Sequence, residues 1–251
     1  MKQFMMLLKL EYDGMFLPLG VIIAVMAALQ LVLFGWRLHE AGNHASLSHV
    51  LDLARVSIVF AIAFACILAL MGARLIRNYM PSKNIYALLA LPIKRGNIYM
   101  AKLTATLLAG FMLLAAQMAL LLIFSALMEM RETSSVGHEV TRRGADLYLS
   151  LLDVSLLRIL FPPDLFSLVF SILGFFGTIC VALYVAVGLK AGKRLGSIFF
   201  AAFWLALMLF TFPLYIYSWG SSVVKLIIMI IITIVAGYKG MKLFESGEVT
   251  G

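Results

Sequence analysis

Residues 84–103 read NIYALLALPIKRGNIYMAKL. The stretch opens apolar at helical spacing. It is cut by Pro92, then passes through Lys94, Arg95 and Gly96 into a second apolar start. Long apolar runs lie on both sides of it, and what those runs are decides the fold. The chain has 251 residues, 63% of them hydrophobic and 13% charged, with a mean hydropathy of +1.04. Soluble domains are about 45–50% apolar and about 25% charged. An ordinary soluble globule is excluded, and an integral membrane protein is indicated.

A hydrocarbon core about 30 Å thick needs about 20 apolar residues of helix. Six stretches qualify: 15–36, 56–73, 103–128, 165–189, 196–217 and 219–239. The fourth and fifth are separated by the tight basic turn KAGKR, Lys190 to Arg194. The expected fold is all-α. It is a polytopic membrane protein with six transmembrane helices, an N-terminal interfacial helix, and a short helix in the loop quoted above. One membrane domain over 1–251 is the simplest organisation, since no repeat or low-complexity linker is visible.

Residues 1–14 do not read as a signal peptide. Glu11 and Asp13 precede the first apolar run, where a signal would be basic. Phe4, Leu7, Leu8 and Tyr12 share one helical face. That pattern predicts a separate amphipathic helix in the membrane interface.

Orientation follows from Lys and Arg. With a cytoplasmic N-terminus, thirteen of the twenty fall inside and seven outside, while eight of the twelve acids fall outside. Both termini and the 84–103 loop are then expected in the cytoplasm. The formal charge of +8 reads as inside anchoring of spans, and nucleic acid is not indicated because the cations sit in short loops between apolar runs.

None of the six cores carries Asp, Glu, Lys, Arg or His at mid-depth. Proton-coupled carriers keep a titrating group there, so energy for transport is expected from elsewhere. The inner polar residues are Gln30, Gln117, Thr104, Thr106, Ser125, Ser171, Thr178 and Thr211. They read as interhelical hydrogen bonds or as a polar path. Ala61, Ala65, Ala69 and Ala73 form a small-residue ridge on the second span, suited to close packing within the chain or against another subunit. Gly174 and Gly177 mark a second point of close approach.

Several patterns fall short of chemistry. Cys66 and Cys180 lie in apolar runs and imply neither disulfide nor metal. GLKAGKR, 188–194, lacks the spacing and the Ser or Thr of a phosphate loop. His39, His44 and His49 are five apart, which is wrong for helical zinc ligands. No catalytic constellation is present in the sequence.

In the quoted stretch, Ser82 can cap a short helix over 83–91. Ile85, Leu88 and Leu89 share one face. Pro92 ends the helix, and Asn97 can cap the next one, which enters the third span through Lys102. Such an apolar helix either rests on the membrane interface or fills a groove on a soluble partner.

LLALPIKRGNIYMAKL resembles the cytoplasmic-loop pattern of type-2 ABC transporter permeases. The matching positions are Leu88, Leu89, Leu91, Pro92, Lys94, Arg95, Ile98, Ala101 and Lys102. The resemblance implies a coupling helix that docks on a separate ABC ATP-binding subunit. Ile85, Leu88 and Leu89 would be its buried face, with Leu91 in the same segment and Tyr86 at the rim. Pro92 would be the rigid stop, and Lys94 and Arg95 would meet headgroups or an acidic partner. It further implies a permease subunit with no catalytic motif, paired with a second permease chain, identical or homologous. This chain would bind no cofactor; ATP and Mg would be held by the partner ATPase. The expected function is export of an amphipathic or hydrophobic cargo (peptide, drug or lipid-like) across a bacterial cytoplasmic membrane by alternating access. A membrane anchor or sensor that recruits a cytoplasmic partner, and a secondary carrier, stand as alternatives. The largest segment expected outside the membrane is 129–164.

Overall fold

The computed structural model describes residues 2–40, 46–77, 95–133, 165–214 and 219–245. The described residues form seven α-helices and no strand. These are α1 (Lys2–Glu40), α2 (Leu47–Leu53), α3 (Val56–Arg77), α4 (Arg95–Thr133), α5 (Leu165–Lys190), α6 (Arg194–Leu214) and α7 (Trp219–Glu245). Among the described residues, five stretches are long and apolar enough to cross a membrane: Phe4–Glu40, Val56–Leu75, Gly96–Met128, Leu168–Leu189 and Leu226–Leu243. The fifth expected span, 196–217, corresponds to α6, whose described apolar stretch, Arg194–Met208, is shorter than a crossing requires. The expected short helix at 83–91 and most of the 129–164 segment lie outside the described residues.

The N-terminus differs from the sequence expectation. No break separates an interfacial helix at 1–14 from a span at 15–36. α1 is one helix of 39 residues, roughly 58 Å long at 1.5 Å per residue. Its buried side is a single stripe at i, i+4 spacing through Leu7, Glu11, Met15 and Leu19, whereas Met5, Met6 and Leu10 are exposed. Pro18 lies inside the helix. A proline has no N–H to offer the carbonyl four residues back, here that of Gly14. The Arg74 guanidinium donates to that carbonyl instead, so the helix continues through the proline.

Two tight turns have clear local causes. Ser46 caps α2, its hydroxyl accepting from the His49 N–H at 3.4 Å. The chain then turns into α3 through Arg55, which holds a left-handed φ of 53°. Between α5 and α6, Gly192 takes φ 77°, and the Lys193 N–H bonds the Gly188 carbonyl at 3.0 Å. This is the Schellman ending that favours glycine. It accounts for the KAGKR turn expected from sequence.

The helices group into two compact units. One comprises Met1–Leu17, Ile67–Ala109 and Ile172–Gly251; the other comprises Pro18–Cys66 and Gly110–Ser171. In the first unit, small residues let helices touch. A Cβ on Gly177 would collide with the Trp204 ring and come within 2.6 Å of the Thr233 hydroxyl. Gly188 lies against Ser197, and Tyr184 meets Phe200 edge-on at 5.2 Å. In the second unit, Phe34 stacks on Phe124 with centroids 4.2 Å apart. Close to that stack, Gln30 Nε2 donates to Gln117 Oε1 at 2.9 Å and to the Val56 carbonyl at 3.3 Å.

Candidate functional site: the stems of the 78–94 segment

Of the residues expected to dock a partner, Ile85, Tyr86, Leu88, Leu89, Leu91, Pro92 and Lys94 lie outside the described residues. Arg95 opens α4. The structure does describe the two stems from which that segment hangs: the last turns of α3 and the first turns of α4.

The α4 stem is packed tightly. Tyr99, Ala101 and Ala105 are fully buried, and Lys102 is 3% exposed. Burying an ammonium is costly unless it is paired. Lys102 Nζ donates to Glu11 Oε1 at 2.5 Å, and the Glu11 side chain is itself only 10% exposed. The pair joins α1 to α4. On the α3 stem, Leu75 and Met71 are buried, and Arg74 reaches the Gly14 carbonyl of α1. Glu11 and Gly14 are three residues apart, within one helical turn. Both stems are therefore tied to the same turn of α1.

Gly14 suits this contact. A Cβ there would stand 3.1 Å from both terminal guanidinium nitrogens of Arg74, tighter than ordinary van der Waals contact. The missing side chain at Gly14 and the missing N–H at Pro18 both admit the arginine.

The inner polar residues sort by geometry. Thr104, Thr106 and Thr178 donate to the carbonyls of Met100, Lys102 and Gly174 in their own helices. Thr178 also accepts from the Trp204 indole at 3.2 Å. Gln30 and Gln117 bond across helices. Ala61, Ala65, Ala69 and Ala73 are all exposed, on one face of α3. Among the described residues, no group of three or more His, Cys, Asp or Glu gathers to hold a metal.

The Glu11–Lys102 pair was not anticipated from sequence. The available signals were a carboxylate in register with the apolar residues Leu7 and Met15 of α1 and the composition of the stems. From Val56 to Met128 there are six cations and no acid, so any counter-ion for Lys102 has to come from another part of the chain.

These features define a polytopic helical membrane protein in which the end of α3 and the start of α4 are both anchored to α1. The chain belongs to the ABC-2 family of transporter proteins, whose family model matches residues 8–189. The matched range includes α1 from its second turn, both stems and the 78–94 segment. Members of this family are membrane subunits of ABC transporters rather than catalytic chains, and membership implies an ABC ATP-binding partner. Neither a curated protein nor a solved structure matches the chain significantly.

Proposed function

We propose that this chain is the membrane-spanning subunit of an ATP-driven exporter, with α6 serving as a sixth span and both termini in the cytoplasm of a bacterium. The 78–94 segment carries the coupling helix. Its apolar face, Ile85, Leu88 and Leu89, docks in a cleft of the ATP-binding subunit, with Tyr86 at the rim. Pro92 fixes the end of the helix, and Lys94 and Arg95 meet headgroups or acidic groups of the partner. ATP and Mg are held and used by that partner. The cargo is an amphipathic or hydrophobic molecule. The exposed alanine ridge of α3 suits close contact with a second permease chain.

The observation that carries the reading is the family match over residues 8–189, which takes in the loop pattern at 84–103. The test is gentle purification of the tagged chain from its native membrane, with mass spectrometry of what accompanies it. An ABC ATP-binding subunit in equal amount is expected, and a second permease chain would settle homo- against heterodimer. L88D/L89D should abolish that association while leaving membrane insertion intact, since burying each Leu is worth about 1.5–3 kcal/mol. Recovery of the chain alone in several mild detergents would overturn the docking reading and favour a membrane anchor or carrier.

A further inference from the structure

The geometry points to a clamp: Glu11 with Lys102, and the Gly14 carbonyl with Arg74, make the α1 segment Lys2–Leu17 move as one body with both stems of the 78–94 segment. This inference rests on the reading that the segment docks an ATP-binding subunit. It assigns positioning roles to Glu11, Lys102 and Arg74, and through them names the element that receives the docked subunit's movement.

Three observations carry it. First, the ties are placed where movement would enter. Arg74 lies three residues before the end of α3, and Lys102 lies seven residues after the start of α4. These are the stems that flank residues 78–94 on either side, so movement of a subunit docked there would enter the membrane helices through them. Second, both ties converge on one turn of α1, at Glu11 and Gly14. A single tie would allow α1 to pivot about it. Two ties from different helices fix its position and its rotation together.

Third, each tie has a built partner. Lys102 is 3% exposed and has no acid anywhere between Val56 and Met128 to pair with, so separating it from Glu11 strands a buried charge. The Gly14 carbonyl is free to accept because Pro18 cannot donate to it, and Arg74 fits against it because Gly14 has no Cβ. A pair held in this way resists being pulled apart and passes displacement on.

The test uses the full chain co-purified with its ATP-binding subunit in lipid nanodiscs. Cys66 and Cys180 are replaced, and spin labels are placed at the exposed residues Met6 on α1 and Met100 on α4. In the otherwise unchanged protein, the Met6–Met100 distance should stay fixed when ATP is added. In E11Q, and separately in R74Q, ATP should shift that distance by on the order of 5 Å, the scale of one element moving a helical turn past another. Association with the ATP-binding subunit should persist in both variants. The charge exchange E11K/K102E should restore the fixed distance where E11K alone does not. A distance that shifts with ATP in the unsubstituted protein overturns the clamp. So does a distance that stays fixed in E11Q and R74Q, or a charge exchange that fails to restore it. Failure of any ATP-binding subunit to co-purify overturns the docking reading itself, and is seen before a label is attached.

Discussion

Gln30 and Gln117, 87 residues apart in the chain, join their side-chain amides at 2.9 Å with neither residue exposed. The amino group of Gln30 also holds the carbonyl of Val56, the first residue of α3. One glutamine thus ties three helices of its unit. Among the described residues, Gln30 Oε1 and Gln117 Nε2 are buried without a hydrogen-bond partner, so the pair is bonded on one side only.

This asymmetry predicts non-additive substitutions. Gln30→Leu removes both bonds and strands Gln117, and should cost about 1–3 kcal/mol. Gln117→Leu leaves the Val56 bond in place and should cost less. Gln30→Leu/Gln117→Leu should cost less than the sum, because no amide is then left unpaired. Thermal unfolding of the purified chain in one detergent measures all three; strict additivity would show that the amides do not act together.

At Pro18 the expectation reverses the usual rule. Replacing a helix-interior proline by alanine ordinarily favours the helix by about 3 kcal/mol. Here the introduced alanine would offer its own N–H to the Gly14 carbonyl and compete with Arg74. Pro18→Ala should therefore yield much less than that gain. In the Arg74→Gln background, where the arginine no longer holds the carbonyl, the gain should be larger. Equal gains in the two backgrounds would mean that Arg74 does not compensate for the proline.

Arg55 stands in a left-handed conformation at φ 53° with its side chain exposed. An L-residue there is disfavoured by about 1–2 kcal/mol, and glycine is free of that penalty. Arg55→Gly should raise the stability of the α2–α3 turn by about 1 kcal/mol, less the entropy that glycine brings to the unfolded chain. A fall in melting temperature would show that the Arg55 side chain holds something the turn depends on.

Gly177 lies beneath the Trp204 ring and the Thr233 hydroxyl. Gly177→Ala inserts a methyl where there is no room and should destabilise by about 1–3 kcal/mol. Trp204→Phe relieves the crowding, at the loss of the indole bond to Thr178. Gly177→Ala/Trp204→Phe should thus be less destabilised than the sum of the two single changes, measured by the same unfolding assay.

How much of this could be read beforehand differs along the chain. Apolar run length located α3, expected over 56–73 and found over Val56–Arg77, and α5, expected over 165–189 and found over Leu165–Lys190. The basic turn at Lys190 was legible because glycine and three cations interrupt two apolar runs. GFFG was legible as a close approach because small residues have few other uses between helices.

The start of α1 was misread because local polarity was taken as a boundary. Glu11 and Asp13 look like the flank of a span, but Glu11 is buried against Lys102, 91 residues further on. Each partner has an ordinary explanation alone, an acid before a span and a cation at its foot, so neither points to the other. Pairings of that kind follow from tertiary packing, and no spacing in a single sequence encodes them. Most of the docking residues inferred from resemblance fall on the undescribed 78–94 segment, and their stems were legible only as the places where apolar helices begin and end.

The three residues between α5 and α6 bear on how the protein is made. Residues 191–193 leave no slack, so the two helices form a tight hairpin. Within that hairpin, the Trp204 indole already has Thr178 as its partner, and Gly188 already seats Ser197. If both helices cross the bilayer as proposed, the insertion machinery would receive them as one pair. Lengthening this turn should then lower the yield of correctly inserted chain before it alters the finished protein.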